Sequence, residues 1–207
     1  MTDLVISNLQ SCVPGLAVQR LQPLDLTLHA AEVTAMNGRS GSGKTLLLRA
    51  IADLDPSTGD VCLDKQSRLS MKAHEWRIKV CYLATESAWW FETVGEHFLH
   101  VNTDCLKKLG FDSDVLGWKI SRLSSGEKQR LALARSLGRS PDVLLLDEPT
   151  ASLDETRTLV VEDVVHAYAR QMAAPVLWVS HDRSQLERIA QRVIQILPDG
   201  TIKEENR

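Results

Sequence analysis

The chain has 207 residues, a length that suits a single domain. Apolar residues make up 43% of it, which is enough for a sizeable core, and the net charge of −3 gives no electrostatic reason to expect a nucleic-acid partner. No run of about 18 apolar residues occurs, so we predict no membrane-spanning segment. The first residues lack the basic-then-apolar order of a signal peptide.

The first 84 residues alternate short apolar segments with turn-forming residues, which is typical of strands joined by turns. In chain order we predict a strand over 3–9, a turn at Pro14-Gly15, a half-exposed strand over 24–28, a strand over 32–36, a helix over 46–52, a turn over 55–59 and a strand over 60–63. We predict that Val80, Tyr82 and Ala84 close the first part of the core.

Residues 85–140 have a different pattern, with helical spacing and few β-branched runs. An apolar stripe is predicted along Leu99, Leu106 and Leu109. We interpret this stretch as a helical subdomain that carries the signature segment described below. It is inserted into an α/β core formed by residues 1–84 and 141–207.

The pattern of the core returns at residues 143–148, where a continuous apolar run predicts a central parallel strand buried on both faces. After it we predict a helix over 155–172, a buried strand over 175–180, a helix over 183–190, and a hairpin of strands over 193–197 and 201–203 around Asp199-Gly200.

The segment at residues 38–45 fits the phosphate-loop pattern G-x-x-x-x-G-K-[ST]. Its glycines allow a tight curl, so that successive backbone N–H groups point into one concavity at the start of a helix. Lys44 adds a positive charge for the β- and γ-phosphates, and Thr45 offers a hydroxyl to Mg²⁺. The alternative is a surface turn that binds nothing. The predicted nucleotide-binding residues here are Gly38, Arg39, Ser40, Gly41, Ser42, Gly43, Lys44, Thr45 and Leu46.

Two further polar positions follow predicted buried strands, Asp147-Glu148 and His181. Because ligands of a parallel sheet lie beyond the carboxyl ends of its strands, we expect these residues beside the phosphate loop. Asp147 would hold Mg²⁺ directly or through a water ligand, while Glu148 would orient or deprotonate a water molecule. His181 would hydrogen-bond the γ-phosphate or that water, which makes Glu148, His181 and Lys44 the predicted catalytic residues. A solvated turn is the alternative for the two acidic residues.

Residues 123–130, LSSGEKQR, look like the signature motif of ABC ATPases, with Ser125 where glycine is usual. Residues 145–154 resemble the Walker B strand and D-loop of that family, and residues 179–182 resemble its switch-histidine region. The resemblance covers nearly the whole chain, and a narrower one is to small bacterial ATPase subunits of the iron-export type. It implies a phosphate-loop NTPase (RecA-like) α/β core with an inserted helical subdomain and an antiparallel β subdomain. ATP and Mg²⁺ are the implied cofactors, and ATP hydrolysis is the implied reaction.

The signature supplies a second anion site at a helix start, formed by Ser124 and the backbone N–H groups of Ser125 and Gly126, with Glu127 next to them. In the family this site serves the γ-phosphate bound to the opposite subunit. The resemblance therefore implies a homodimer on ATP binding, with two complete sites. A capped helix that binds nothing is the alternative.

The resemblance also implies a separate transmembrane permease subunit as the partner. The protein would then be cytoplasmic and peripheral on the inner face of the cell membrane, with no nucleic acid bound. One alternative is a soluble ABC-type ATPase acting on nucleic acid or ribosomes, a class that tends to carry two ATPase domains or a long coiled-coil insertion. Another is a phosphate-loop kinase, against which the signature argues.

Two family features are missing. The aromatic residue that stacks on adenine is replaced by Ser11, and no aromatic residue occurs before Trp76, so we expect weak ATP binding. The metal-binding glutamine of the Q-loop is replaced by Thr85, which is too short to reach the metal directly. We predict that the loop shifts by one residue and that Glu86 becomes a metal ligand, with water in that position as the alternative.

Weaker candidates are His97 and His100, which are three residues apart on a predicted helix and could bind a metal, although solvent-facing side chains are favoured. The aromatic run 89–91 could dock a membrane partner's helix or belong to the core of the helical subdomain. The four cysteines form no C-x-x-C pair, so we predict reduced, mostly buried thiols rather than a zinc site.

Overall fold

The computed structural model describes residues 2–12 and 22–205. Its strands are β1 (Leu4–Ser11), β2 (Leu24–Leu28), β3 (Val33–Gly38), β4 (Ser57–Leu63), β5 (Gln66–Ser67), β6 (Val80–Leu83), β7 (Val143–Asp147), β8 (Val176–Val179), β9 (Arg192–Ile196) and β10 (Ile202–Glu205). Its α-helices are α1 (Lys44–Ile51), α2 (Ala73–Lys79), α3 (Thr103–Lys108), α4 (Ser125–Leu137), α5 (Glu155–Met172) and α6 (Arg183–Ile189).

The larger sheet has six strands in the order β10-β9-β3-β8-β7-β6. All neighbours pair in parallel except β10, which pairs antiparallel with β9 and completes the predicted hairpin. Because β3, β6, β7 and β8 run in the same direction, their carboxyl ends meet at one edge. That edge therefore receives the segments that follow these strands, which include the phosphate loop, Thr85 and His181. Asp147 lies there as the last residue of β7.

Strand β7 is buried at every position, as its continuous apolar run predicts. Leu144 and Leu146 pack on one face of the sheet with helices α3, α4 and α5, while Leu145 packs on the other face with α1 and the second sheet. The alternation of side chains across a strand explains why one run of leucines supplies two separate cores.

The smaller sheet is antiparallel, with the order β2-β1-β4-β5. The turn predicted over 55–59 was wrong in its second half, because residues 57–59 already belong to β4. Gly59 has φ +78° and lies where the register of β1 and β4 shifts, and a side chain there would overlap the carbonyl of Asn8. Glycine is required at this position by a β-bulge, and the residue preferences of turns do not distinguish a bulge from a turn. The turn predicted at Pro14-Gly15 lies outside the described residues.

Between β6 and β7 the chain forms α3, α4 and three 3-10 turns, at Gly95–His97, Ser113–Gly117 and Ile120–Arg122. Leu106 and Leu109 are buried as predicted, but Leu99 is 75% exposed and precedes α3. Helix α3 begins only at Thr103, because the Asn102 side chain caps it by accepting from the N–H of Cys105. The predicted apolar stripe is therefore wrong at its first member.

Helix α2 was not predicted, because its seven residues are too few to show a helical period. It is held by Trp76, which is fully buried and donates its Nε1–H to the carbonyl oxygen of Ile51 at 2.9 Å. This contact ties α2 to the end of α1. The four cysteines are free thiols, but the prediction that most of them are buried was wrong: Cys105 is buried, Cys62 and Cys81 are half-buried, and Cys12 is exposed.

Candidate nucleotide-binding site

The phosphate loop joins β3 to α1, and two of its glycines have left-handed backbones, Gly41 at φ +76° and Gly43 at φ +94°. A third, Gly38, is required for space, because a Cβ there would lie 2.9 Å from Ser42 Oγ and 3.1 Å from Ile196 Cβ. The three glycines thus allow the curl that directs backbone N–H groups toward one point at the start of α1.

Lys44 is the first residue of α1 and is only 7% exposed. Its Nζ donates to the carbonyl oxygens of Gly38 at 2.8 Å and Arg39 at 3.0 Å. Burial lowers the pKa of Lys44, while the negative charges of Glu148 and Asp147 oppose that shift. The ammonium group is therefore held over the loop, where a phosphate could replace the carbonyl groups as its partner.

Asp147 ends β7 and is 3% exposed. Its Oδ2 accepts a hydrogen bond from Thr45 Oγ1 at 2.8 Å, so the hydroxyl and the carboxylate predicted as metal ligands are adjacent. Hard oxygen donors of this kind, at a phosphate-binding loop, suit Mg²⁺. Thr45 and Asp147 could thus hold the ion together with phosphate oxygens.

Tyr82 also reaches this carboxylate, and the sequence assigned it only to the core. Its hydroxyl donates to Asp147 Oδ2 at 3.0 Å. Burial and the charge of Asp147 raise the pKa of Tyr82, so the group remains a hydrogen-bond donor. The contact depends on the parallel pairing of β6 with β7, which no local pattern reveals.

Glu148 leaves β7 with φ +52°, an uncommon backbone for a residue other than glycine, and its N–H donates to the carbonyl oxygen of Val179 at 3.1 Å. Its side-chain Oε1 is buried, accepts no hydrogen bond and lies 3.4 Å from His181 Nε2. Burial raises the pKa of Glu148, and the charge of His181 is the largest influence that opposes the rise. A buried carboxylate oxygen with spare accepting capacity is suited to orienting a water molecule.

One cavity of about 350 Å³ is lined by residues 40–46, Thr85, Asp147, Glu148 and His181. The structure therefore brings together the three regions that the sequence predicted to meet. Gly38 and Arg39 line a neighbouring hollow, which His181 also borders.

The signature residues do not line this cavity. Helix α4 begins after Ser124, whose Oγ accepts from the N–H of Glu127 at 3.3 Å. In return, the N–H and the hydroxyl of Ser124 each donate to Glu127 Oε2 at 2.8 Å, and these bonds lower the pKa of Glu127. Ser124 and Ser125 are exposed, so this helix start is open at the surface.

Gln129 connects the signature helix to the residues after β7, a role that the sequence did not indicate. Its side-chain Nε2 donates to the carbonyl oxygen of Glu148 at 2.7 Å, and its Oε1 accepts from the N–H of Ser152 at 3.1 Å. Gly126 lies against the same segment, because a Cβ there would be 2.9 Å from the carbonyl oxygen of Ser152. The start of α4 and the predicted catalytic carboxylate therefore belong to one packed unit.

Thr85 lines the cavity and donates its hydroxyl to the backbone carbonyl oxygen of Asp147 at 3.1 Å. Glu86 is exposed and is not among the lining residues, so as a metal ligand it remains a prediction. Ser11 ends β1 and is not among the lining residues, and its buried Oγ has no hydrogen-bond partner among the described residues.

Both alternatives for His97 were wrong, since it is buried and binds backbone. Its Nε2 accepts from the N–H groups of Trp90 at 2.9 Å and Phe91 at 3.0 Å, and its Nδ1 lies 2.9 Å from the carbonyl oxygen of Thr93. His100 is exposed and lies in a bend, not on a helix. In the described part of the chain no cluster of three His, Cys, Asp or Glu side chains could hold a metal.

The aromatic run has the predicted core position at one residue only, and docking of a membrane partner by the other two remains a prediction. Trp89 packs against the core, whereas Trp90 is 65% and Phe91 49% exposed.

The model of the ABC transporter family matches residues 21–151, more than half of the chain. The chain belongs to this family. It is 32% identical over 200 residues to FetA of Escherichia coli (strain K12), an ATP-binding protein named for iron export, and covers 88% of that protein with 90% of its own length. It is 35% identical over 188 residues to the aliphatic sulfonates import ATP-binding protein SsuB 2 of Frankia alni, with 89% of this chain and 74% of that protein covered.

Solved structures show the same fold. The ATP-binding cassette MJ0796 in a dimeric post-hydrolysis state with ADP and Pi has a TM-score of 0.82 at 23% identity, with 98% of both chains covered. A bacterial Atm1-family ABC exporter with ATP bound has a TM-score of 0.83 at 20% identity, and the match covers 98% of this chain and 38% of that one. The predicted family and fold are confirmed. None of the helices in the described ranges is long and apolar enough to cross a membrane.

Proposed function

We propose that two copies of this ABC-family ATPase subunit enclose two MgATP molecules and close on binding them. Hydrolysis then reopens the pair and drives a separate transmembrane permease at the inner face of the membrane. One observation carries this proposal: the phosphate loop, Asp147, Glu148 and His181 line one cavity, while the helix start at Ser124 is exposed outside it. A single chain thus carries two half-sites. The relatives named for iron export and sulfonate import support a role in transport without favouring a nucleic-acid partner.

Each residue at the site has a chemical role in this proposal. Lys44 binds the β- and γ-phosphates, and the buried Oε1 of Glu148 accepts the proton of the attacking water. His181, 3.4 Å from that oxygen, orients the water or the γ-phosphate. Thr45 and Asp147 would hold Mg²⁺, which neutralises charge on the phosphates. Ser124, Ser125, Gly126 and Glu127 would contact the nucleotide of the partner copy.

The pairing of two copies predicts that the protein changes size with nucleotide. Light scattering coupled to gel filtration should detect a monomer in ADP and a dimer with Mg²⁺ and a non-hydrolysable ATP analogue. A protein that binds the analogue tightly and stays monomeric at saturation would contradict the enclosure of ATP between two copies.

We assign contact with the permease to a docking groove of about 370 Å³, whose lining includes Leu54, Trp90, Phe91, Arg77, Arg135 and Arg139. The guanidinium of Arg135 stacks 4.5 Å from the centre of the Trp89 ring and 5.3 Å from that of Trp90, which supports the exposed aromatic surface.

The charge of the groove indicates its occupant. Arg77 and Arg135 donate to the backbone carbonyl groups of Asp53 and Ala88. Those acceptors carry no charge, and Glu96 is the carboxylate in the lining. An excess of positive charge beside exposed aromatic rings fits an apolar cytoplasmic helix of the permease that carries acidic side chains.

Trp90→Ala should weaken binding of the membrane subunit on the order of 30-fold, because a tryptophan at the centre of an interface contributes about 2 kcal/mol or more. The measurement is co-purification with a candidate permease, a multi-span membrane protein to be sought in the neighbouring reading frame, after co-expression and detergent extraction. Leu69→Ala is the control, since Leu69 is 73% exposed and is not in the groove lining. ATP binding by the isolated subunit should not change. Equal recovery of the membrane protein with Trp90→Ala and Leu69→Ala would contradict the assignment.

We predict that the loop is shifted by one residue relative to the family, so that Glu86 takes the place of the Q-loop glutamine as a metal ligand. In that case Glu86→Ala raises the Mg²⁺ concentration needed for half-maximal ATPase activity far more than Thr85→Ala does, because a carboxylate ligand is lost. The titration is carried out with the membrane partner present. An unchanged Mg²⁺ curve for Glu86→Ala would leave water in the position and end this prediction.

A further inference from the structure

The aspartate at the end of β7 receives two side-chain hydrogen bonds on the same oxygen. Thr45 donates from α1 at 2.8 Å, and Tyr82 donates from β6 at 3.0 Å. Two donors from different elements restrict the rotation of the carboxylate. Hydrogen bonds to a metal ligand of this kind orient it and raise metal affinity.

Thr45 cannot serve as a permanent positioning group if its hydroxyl also binds Mg²⁺. Tyr82 has no competing role at the metal, because it is absent from the lining of the nucleotide cavity. Its ring packs against the core and borders the docking groove, while its hydroxyl contacts Asp147. Its hydroxyl thus remains available to Asp147 whether or not the metal is bound.

Thr85 does not provide a substitute. It stands where the family carries a metal-binding glutamine, but its hydroxyl donates to the backbone carbonyl oxygen of Asp147. That bond fixes the end of β7 without touching the carboxylate. Among these three hydroxyl groups, that of Tyr82 is therefore the one that can orient the Asp147 carboxylate while Thr45 binds Mg²⁺.

We propose that Tyr82 is a positioning residue that orients the Asp147 carboxylate for Mg²⁺. The inference rests on the proposed function, since it assumes that Asp147 serves MgATP. Tyr82 acts through Asp147 and does not itself touch the nucleotide.

The test replaces Tyr82 by phenylalanine, which keeps the ring and removes only the hydroxyl. The chain provides a matched control in its second tyrosine, Tyr168, which lies on α5. Its hydroxyl donates to the carbonyl oxygen of Pro141 at 2.7 Å. Both substitutions remove one tyrosine hydroxyl that is hydrogen-bonded within the fold. Only Tyr82→Phe removes a bond to the metal-site carboxylate.

Binding of a fluorescent, non-hydrolysable ATP analogue is measured against Mg²⁺ concentration and again in EDTA. For Tyr82→Phe we expect the half-saturating Mg²⁺ concentration to rise on the order of 10-fold, with affinity in EDTA unchanged. Tyr168→Phe should match the wild type in both titrations. Because no hydrolysis is involved, the readout separates metal binding from catalysis.

Two results would overturn the inference. One is a Mg²⁺ curve for Tyr82→Phe that coincides with the wild type. The other is an equal loss of affinity with Mg²⁺ and in EDTA, which a purely structural role of the hydroxyl would produce. Failure of the proposed function is distinguishable from both, because it would appear in the wild-type protein, either as analogue binding that does not depend on Mg²⁺ or as a protein that stays monomeric with the analogue bound.

Discussion

Glu148→Gln should bind ATP like the wild type and hydrolyse it on the order of 10²–10⁴ times more slowly. The amide is close in size to the carboxylate and keeps hydrogen-bonding capacity at Oε1, which lies 3.4 Å from His181 Nε2. It cannot accept the proton of the attacking water. The variant should therefore accumulate as an ATP-bound dimer, seen by gel filtration with ATP and Mg²⁺ together with a turnover assay.

A surface carboxylate gives the control for this substitution. Glu75→Gln, at an exposed position on α2, should hydrolyse ATP at the wild-type rate. The raised pKa of Glu148 adds a second signature, because the base is protonated, and activity declines, at a higher pH than for an exposed glutamate. Turnover by Glu148→Gln near the wild-type rate would remove Glu148 from the role of base.

Lys44→Ala should weaken ATP binding on the order of 100-fold, because a hydrogen bond involving a charged group contributes about 1.5–3 kcal/mol and Nζ can make two. The two loop carbonyl groups that Nζ now contacts, at 2.8 and 3.0 Å, show that it can reach two acceptors at once. The measurement is equilibrium binding of a fluorescent ATP analogue with Mg²⁺.

Lys44 is buried, so its substitution could also disturb the loop itself. Thermal unfolding of the nucleotide-free variants separates the two effects, and Lys44→Met, which keeps an apolar stem, serves as the conservative comparison. Both variants should unfold near the wild-type temperature while losing the stabilisation that ATP provides. ATP affinity equal to that of the wild type in both variants would contradict the role of Lys44 in phosphate binding.

The sequence alone predicted those features that depend on neighbouring residues. The phosphate loop is a local backbone conformation that its own glycines permit, and the central strand at 143–147 follows from one apolar run. Helix α5 spans Glu155–Met172 as predicted, since Asp154 caps its start and its pattern is long enough to show a helical period. The meeting of the loop with Asp147, Glu148 and His181 followed from one general rule about parallel sheets.

Tertiary structure alone decided the contacts that join distant segments. The bonds from Tyr82 to Asp147 and from Gln129 to Glu148 depend on which strand and helix lie beside β7, and no local period encodes that neighbourhood. His97 and Leu99 were misjudged for the same reason, because the burial of a residue between short turns is determined by what packs over it. The hydrophobic pattern of a segment indicates how regularly its residues contact the core. It does not identify the segments that pack against it, because that depends on the free energy of packing the whole chain.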